Sequence, residues 1–219
     1  MKPRYISFDC YGTLVHFQMD RVLAEVFDGR LVPEVRDQFL ATCEAYRFDE
    51  VLGDYKPYRQ VISHATRRAA CRYGIEFRER DAQQLYEAVP TWGPHPGVAD
   101  ALITLGMRHK LVILSNAADE QIMDNVDQLR ASFHAVFTAE QAKAYKPRLA
   151  AFEYMLRELG CHPDEIVHVS SSPMYDLRPA RDVGIASTVL LERGYEPSQP
   201  WLGYREIQSL PELVNVLDG

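Results

Sequence analysis

The stretch Tyr5-Ile6-Ser7-Phe8-Asp9-Cys10-Tyr11-Gly12-Thr13-Leu14-Val15 (YISFDCYGTLV) brings a single carboxylate to the end of a short apolar run and turns immediately after it. A run of this kind, Tyr5–Phe8, has the character of a strand buried on both faces of a parallel sheet. Gly12 permits a tight turn, and Thr13 carries a hydroxyl that can orient the Asp9 carboxylate. Three more runs of the same quality lie at 111–114, 166–169 and 188–191. Between them, 98–105 and 149–159 carry apolar residues at helical spacing, and Gly160 supplies a helix stop. Strands alternating with helices predict a parallel sheet with crossover helices, in which ligands gather at the carboxyl ends of the strands. The interval 17–86 is different, with mainly helical periodicity and no strand of comparable quality, and the Pro- and Gly-rich segment 89–97 follows as a linker. The expectation is an α/β fold with a Rossmann-like parallel-sheet core formed by 1–15 and 93–219 and an inserted helical cap domain, 16–92.

Composition narrows the class of function. With 219 residues, 47% hydrophobic and 25% charged, the chain falls among globular domains and away from disordered or membrane-embedded ones. A net charge of -7, with scattered basic residues and Arg67-Arg68 as the basic pair of note, gives no footprint for a phosphate backbone, so nucleic acid is not expected as a partner. Cys10, Cys43, Cys71 and Cys161 lie far apart without a C-x-x-C pair, which matches neither zinc spacing nor a disulfide framework and fits a reducing compartment. Met1-Lys2-Pro3-Arg4 leads directly into the first strand without a signal-peptide pattern, and no later run reaches membrane-spanning length, so the expectation is a cytoplasmic protein with no membrane partner.

The remaining strands also end in polar groups. Ser115-Asn116 follows Leu114, Lys146 sits in Ala144-Tyr145-Lys146-Pro147, and Val169 leads into Ser170-Ser171-Ser172-Pro173-Met174-Tyr175-Asp176. A parallel sheet would bring two carboxylates, a hydroxyl and an amine to one edge. His168, inside an apolar strand, reads as a satisfied core residue.

In order and spacing these four stretches resemble the four motifs of the haloacid dehalogenase superfamily. The resemblance implies Asp9 as nucleophile, Ser115 as anion-binding hydroxyl, Lys146 as the neutralising cation and Asp176 as the group that activates water, with Thr13 completing the catalytic set. Phosphatases of this superfamily usually place a second Asp two residues after the nucleophile; here that position is Tyr11, whose ordinary pKa of about 10 makes it a poor general acid near neutrality. Where those phosphatases commonly offer a magnesium-binding Asp, the chain has Ser171, a weak ligand for a hard cation. Both departures are similar to the L-2-haloacid dehalogenase (type II) branch, which resembles this chain in its F-D-x-Y-G-T-L pattern and Ser-Ser pair. That branch needs no metal, because halide leaves as a stable anion. The implied reaction is hydrolysis of a small 2-haloalkanoic acid to a 2-hydroxy acid through an aspartyl ester on Asp9, with Tyr11, Asn116, Ser171, Tyr58 and Tyr175 around the substrate.

The resemblance breaks in places. Matching the cap from Glu44 and Tyr55 puts Phe39 where the dehalogenases carry a halide-binding Arg, with Arg36 and Arg47 on the same helix as alternatives. On that reading halide expulsion is slow and Phe39→Arg raises it, provided the ring faces the site. Phe152 and Pro173 stand where the family has a tyrosine and an asparagine. The alternatives that stay open are a strained-ring amino acid hydrolase, a weak phosphatase using magnesium, and a catalytically silent relative that binds a small carboxylate. Tyr195, Trp201 and Tyr204 either cover the sheet or form a subunit contact, which leaves a homodimer open.

Overall fold

Tyr5–Phe8 forms β1 with all four side chains buried, as a strand covered by helices on both faces requires. The computed structural model describes residues 3–218; Met1, Lys2 and Gly219 lie outside the described residues, and with them the first part of the amino-terminal reading. Lys110–Ser115 is β2, Ala135–Thr138 β3, Ile166–Ser170 β4, Ser187–Leu191 β5 and Arg205–Ile207 β6. Their order across the sheet is β3-β2-β1-β4-β5-β6, and every pairing is parallel. The α/β, Rossmann-like class is therefore the one expected. β3 and β6 escaped the sequence reading because both are edge strands. β3 starts half-buried and β6 begins with exposed Arg205 and Glu206, so neither shows an apolar run on two faces.

The chain divides into two compact units, one running through Phe17 and resuming at Gly93, the other spanning Gln18–Trp92. The second unit contains Met19–Val26 (α1), Pro33–Leu52 (α2), Tyr58–Arg72 (α3) and Glu79–Ala88 (α4). Within it α2 packs on α3, α3 on α4, and α4 on α1. Arg30 grips Asp81 through both guanidinium nitrogens, at 2.8 and 2.9 Å, and Asp81 also accepts the Arg78 N–H at 2.8 Å to cap α4.

In the sheet unit the crossovers are Val98–Gly106 (α5), Asp119–Gln128 (α6), Ala139–Ala142 (α7), Leu149–Leu159 (α8) and Arg178–Asp182 (α9), with Glu212–Asp218 (α10) at the end. Gly160 ends α8 in the left-handed conformation at φ 57°, where a side chain would be strained. One face of the sheet packs Tyr5, Val112, Leu114, Phe137 and Ile166 against Phe152 and Met155 of α8, a dry layer that fixes the strands whose carboxyl ends carry the polar groups. All four cysteines are free. Among the described residues no helix is long and apolar enough to cross a membrane.

Candidate active site

Where β1 ends, the Asp9 N–H still bonds Val169 O of β4 at 3.1 Å, which carries the carboxylate out at the carboxyl edge of the sheet. The chain then turns through Gly12 at φ 93°, a left-handed conformation that favours glycine. The turn returns Thr13 to the carboxylate. Its hydroxyl donates to Asp9 Oδ2 at 2.7 Å and accepts the Ser171 N–H at 2.9 Å, with Ser171 Oγ at 3.2 Å. Arg193 donates to Thr13 O from Nε and Nη2 at 3.3 and 3.2 Å and ties the same turn from the other side.

Lys146 is 1% exposed, and its three ammonium protons meet three acceptors: Asp9 Oδ1 at 2.8 Å, Asp176 Oδ1 at 2.7 Å and Leu114 O at 2.8 Å. Burial works against the ammonium, yet Asp176 and Asp9 outweigh it and raise the Lys146 pKa. Asp176 projects from a single π-type turn, Pro173–Leu177, entered through Pro173, whose missing N–H is no loss at a helix start. Ser172 Oγ caps that turn by accepting the Tyr175 N–H at 2.9 Å. The Asp176 oxygen held by Lys146 also meets His168 Nε2 at 3.0 Å.

The two carboxylates are driven apart. Desolvation is the largest influence on Asp9, which also feels the Asp176 charge, and Lys146 and Thr13 do not fully offset it, so its pKa rises. Asp176 is equally desolvated, but Lys146 and the His168 hydrogen bond outweigh that, and its pKa falls.

The other expected residues are placed differently from one another. Ser115 closes β2, buried, with an Oγ that has no protein partner. Tyr11 donates to Asn125 Oδ1 on α6 at 2.8 Å, Ser171 directs its N–H to Thr13, and Tyr175 is half-buried on the Asp176 turn. Asn116 braces the lysine: its amide donates to Lys146 O at 2.9 Å and accepts from Lys146 N at 2.7 Å, so it fixes the backbone of the residue that carries the ammonium. Phe39 is a correction. Its ring is fully buried in the helical unit, tilted against Phe27 at 5.0 Å and edge-on to Tyr73 at 5.9 Å, so it is a core side chain there and not a halide-facing wall. In the same unit Tyr58 lies 6.5 Å from Tyr86, Arg36 is exposed, and Arg47 is half-buried, where its charge counters the burial that raises Tyr58 and Cys43.

Sequence reasoning missed Arg193 and Glu196, whose carboxylate accepts from Ser172 Oγ and from Met174 N. Both lie in an irregular segment after β5, where no periodicity marks a residue as inward-facing. His168 is satisfied, as expected, but one of its partners is Asp176.

Residues 3–184 match the model of the haloacid dehalogenase-like hydrolases. The chain belongs to that family, in the branch resembling the L-2-haloacid dehalogenases, and is a hydrolase of that superfamily. It is similar to haloacetate dehalogenase H-2 of Moraxella sp. (strain B), with 29% identity over 84% of this chain and 83% of the relative. Similarity also extends to (S)-2-haloacid dehalogenase 4A of Burkholderia cepacia, 27% identical over 98% and 94% of the two chains. Among solved structures, the L-2-haloacid dehalogenase from Xanthobacter autotrophicus superposes with a TM-score of 0.79 over 99% of each chain at 20% identity, a likeness of fold.

Proposed function

We propose that this protein hydrolyses the carbon–halogen bond of a small 2-haloalkanoic acid without a metal, through an ester on Asp9. The observation that carries the reading is one buried ammonium, Lys146 Nζ, placed 2.8 Å from Asp9 and 2.7 Å from Asp176. It supplies a fixed cation between the two carboxylates on which a divalent ion would rely, and neither Tyr11 nor Ser171 offers another acid. Under this reading an Asp9 oxygen attacks C2 of the substrate; the carbon–oxygen bond forms as the carbon–halogen bond breaks, and halide leaves with the electron pair. Water then attacks the Asp9 carbonyl carbon and gives a proton to Asp176. The acyl carbon–oxygen bond breaks, and the departing alkoxide takes that proton to become a 2-hydroxy acid. Asp9 ionises and is restored with one oxygen from water. C2 is attacked once, so its configuration inverts. The orphaned Ser115 hydroxyl is the donor for the substrate carboxylate, since it is buried with no protein group to bond. The names of the two curated relatives, a haloacetate and an (S)-2-haloacid dehalogenase, support this substrate class.

The test is halide release from chloroacetate and (S)-2-chloropropionate with a chelator present, followed by mass spectrometry of the protein after turnover in oxygen-18 water. Label in the Asp9 carboxylate is the expected result. Magnesium-dependent hydrolysis of an aryl phosphate with no halide release would overturn the reading.

A further inference from the structure

β1 and β4 pair in a register that sets Ser7 directly opposite His168, both fully buried. In strands an imidazole there has no solvent to turn to, and both ring nitrogens find partners within the sheet unit. Nδ1 lies 2.8 Å from Ser7 Oγ, and Nε2 lies 3.0 Å from Asp176 Oδ1. Phe152 of α8 packs edge-on against the ring, with centroids 5.3 Å apart, and leaves it little room to rotate. Lys146 Nζ ends on the same oxygen, Asp176 Oδ1. Two donors therefore converge on Oδ1 from different strands and loops, which fixes the plane of the carboxylate and leaves Oδ2 as the oxygen that neither engages. Ser7 stands two residues before Asp9 on β1, so the network that holds the base is anchored in the strand that carries the nucleophile.

We infer that His168 is a positioning residue for the ester-hydrolysis half of the reaction: locked by Ser7 and Phe152, it holds Asp176 so that Oδ2 faces the water that attacks the Asp9 ester. The inference rests on the dehalogenase reading above. It assigns His168 no part in attack on C2, because its contacts run to Asp176 and Ser7 and none reaches Asp9. No covalent bond to His168 forms, and the water proton goes to Asp176, on this inference to Oδ2.

Rapid-mixing kinetics with (S)-2-chloropropionate separates the halves, with halide release reading ester formation and intact-protein mass reading the ester itself. In His168→Leu the halide burst stays close to native while ester hydrolysis slows about 10- to 100-fold, as for a misaimed catalytic group, so the ester accumulates and kcat and KM fall together. His168→Gln, which keeps a donor near Nε2, recovers most of the loss, and Ser7→Ala, which frees the ring without removing it, shows a smaller loss in the same direction. A folded His168→Leu that slows both halves equally, or neither, overturns the inference. Should His168→Leu fail to fold, Ser7→Ala without ester accumulation overturns it. A native protein that releases no halide and takes no oxygen-18 label into Asp9 instead overturns the dehalogenase reading, and this role with it.

Discussion

The helical unit and the sheet unit both bury carboxylates, and they treat them in opposite ways. In the helical unit each one has cations to spare: Asp81 takes two nitrogens of Arg30 and an N–H, while Glu50 is met by Lys56 and by Arg68. Burial presses both upward, but the hydrogen bonds and charges win, and both pKa values fall. At the edge of the sheet two carboxylates share one ammonium, and Asp9, with only that ammonium and a neutral hydroxyl, is left with a raised pKa. The first arrangement is what a chain needs to hold helices together. The second keeps a carboxylate desolvated and under-neutralised, which on the proposed reading strengthens it as a nucleophile, at a stability cost that the surrounding dry sheet must offset.

That contrast breaks first at Asp9. Asp9→Asn should reduce halide release by at least about a thousandfold, about 4 kcal/mol on the activation barrier, because the amide is a far poorer nucleophile. A halide electrode suffices, and retained release would mean that the under-neutralised carboxylate is not the reacting group. In the helical unit Phe39→Arg should lower the unfolding free energy by about 3–5 kcal/mol, since it replaces a core ring with a buried charge that has no partner there. It should bring no gain in halide release; a stable variant with faster release would restore the halide-facing assignment. Arg30→Ala leaves Asp81 buried without its fork, and about 3 kcal/mol of stability should go with it in denaturant titration. An unchanged midpoint would show that the Asp81 pair is not structural.

Much of the site was legible because it is local. Asp9, Gly12 and Thr13 lie within one turn, and the need for a strand end, a left-handed glycine and a hydroxyl can be read from residue type alone. The two-faced strands β1, β2, β4 and β5 were legible for the same reason, and the edge strands β3 and β6 were not. Phe39 shows the limit. Counting along α2 gave its position but not its direction, although Cys43 one turn later is buried too and marks the same inward stripe. Asn116 and His168 were hidden by register: nothing in the sequence says that Asn116 will meet the backbone of Lys146, or that Ser7 will face His168.

The smallest expected effect is one of pH. Asp9 has a raised pKa and Asp176 a lowered one, so on acidification the proton goes to Asp9, the proposed nucleophile, before it goes to Asp176, the proposed base. The halide burst should therefore fade at a pH above the ordinary Asp value of about 3.9, whereas hydrolysis of preformed ester should persist to below it. Thr13→Val removes a hydrogen bond that favours the charged form of Asp9, so it should move the burst limb further upward and leave the ester limb where it is. Burst amplitudes between pH 4 and 8, with ester decay followed by mass after a pH jump, measure the two limbs separately. Coincident limbs, or a burst limb below the ester limb, would show that the shared ammonium neutralises Asp9 as fully as Arg30 neutralises Asp81.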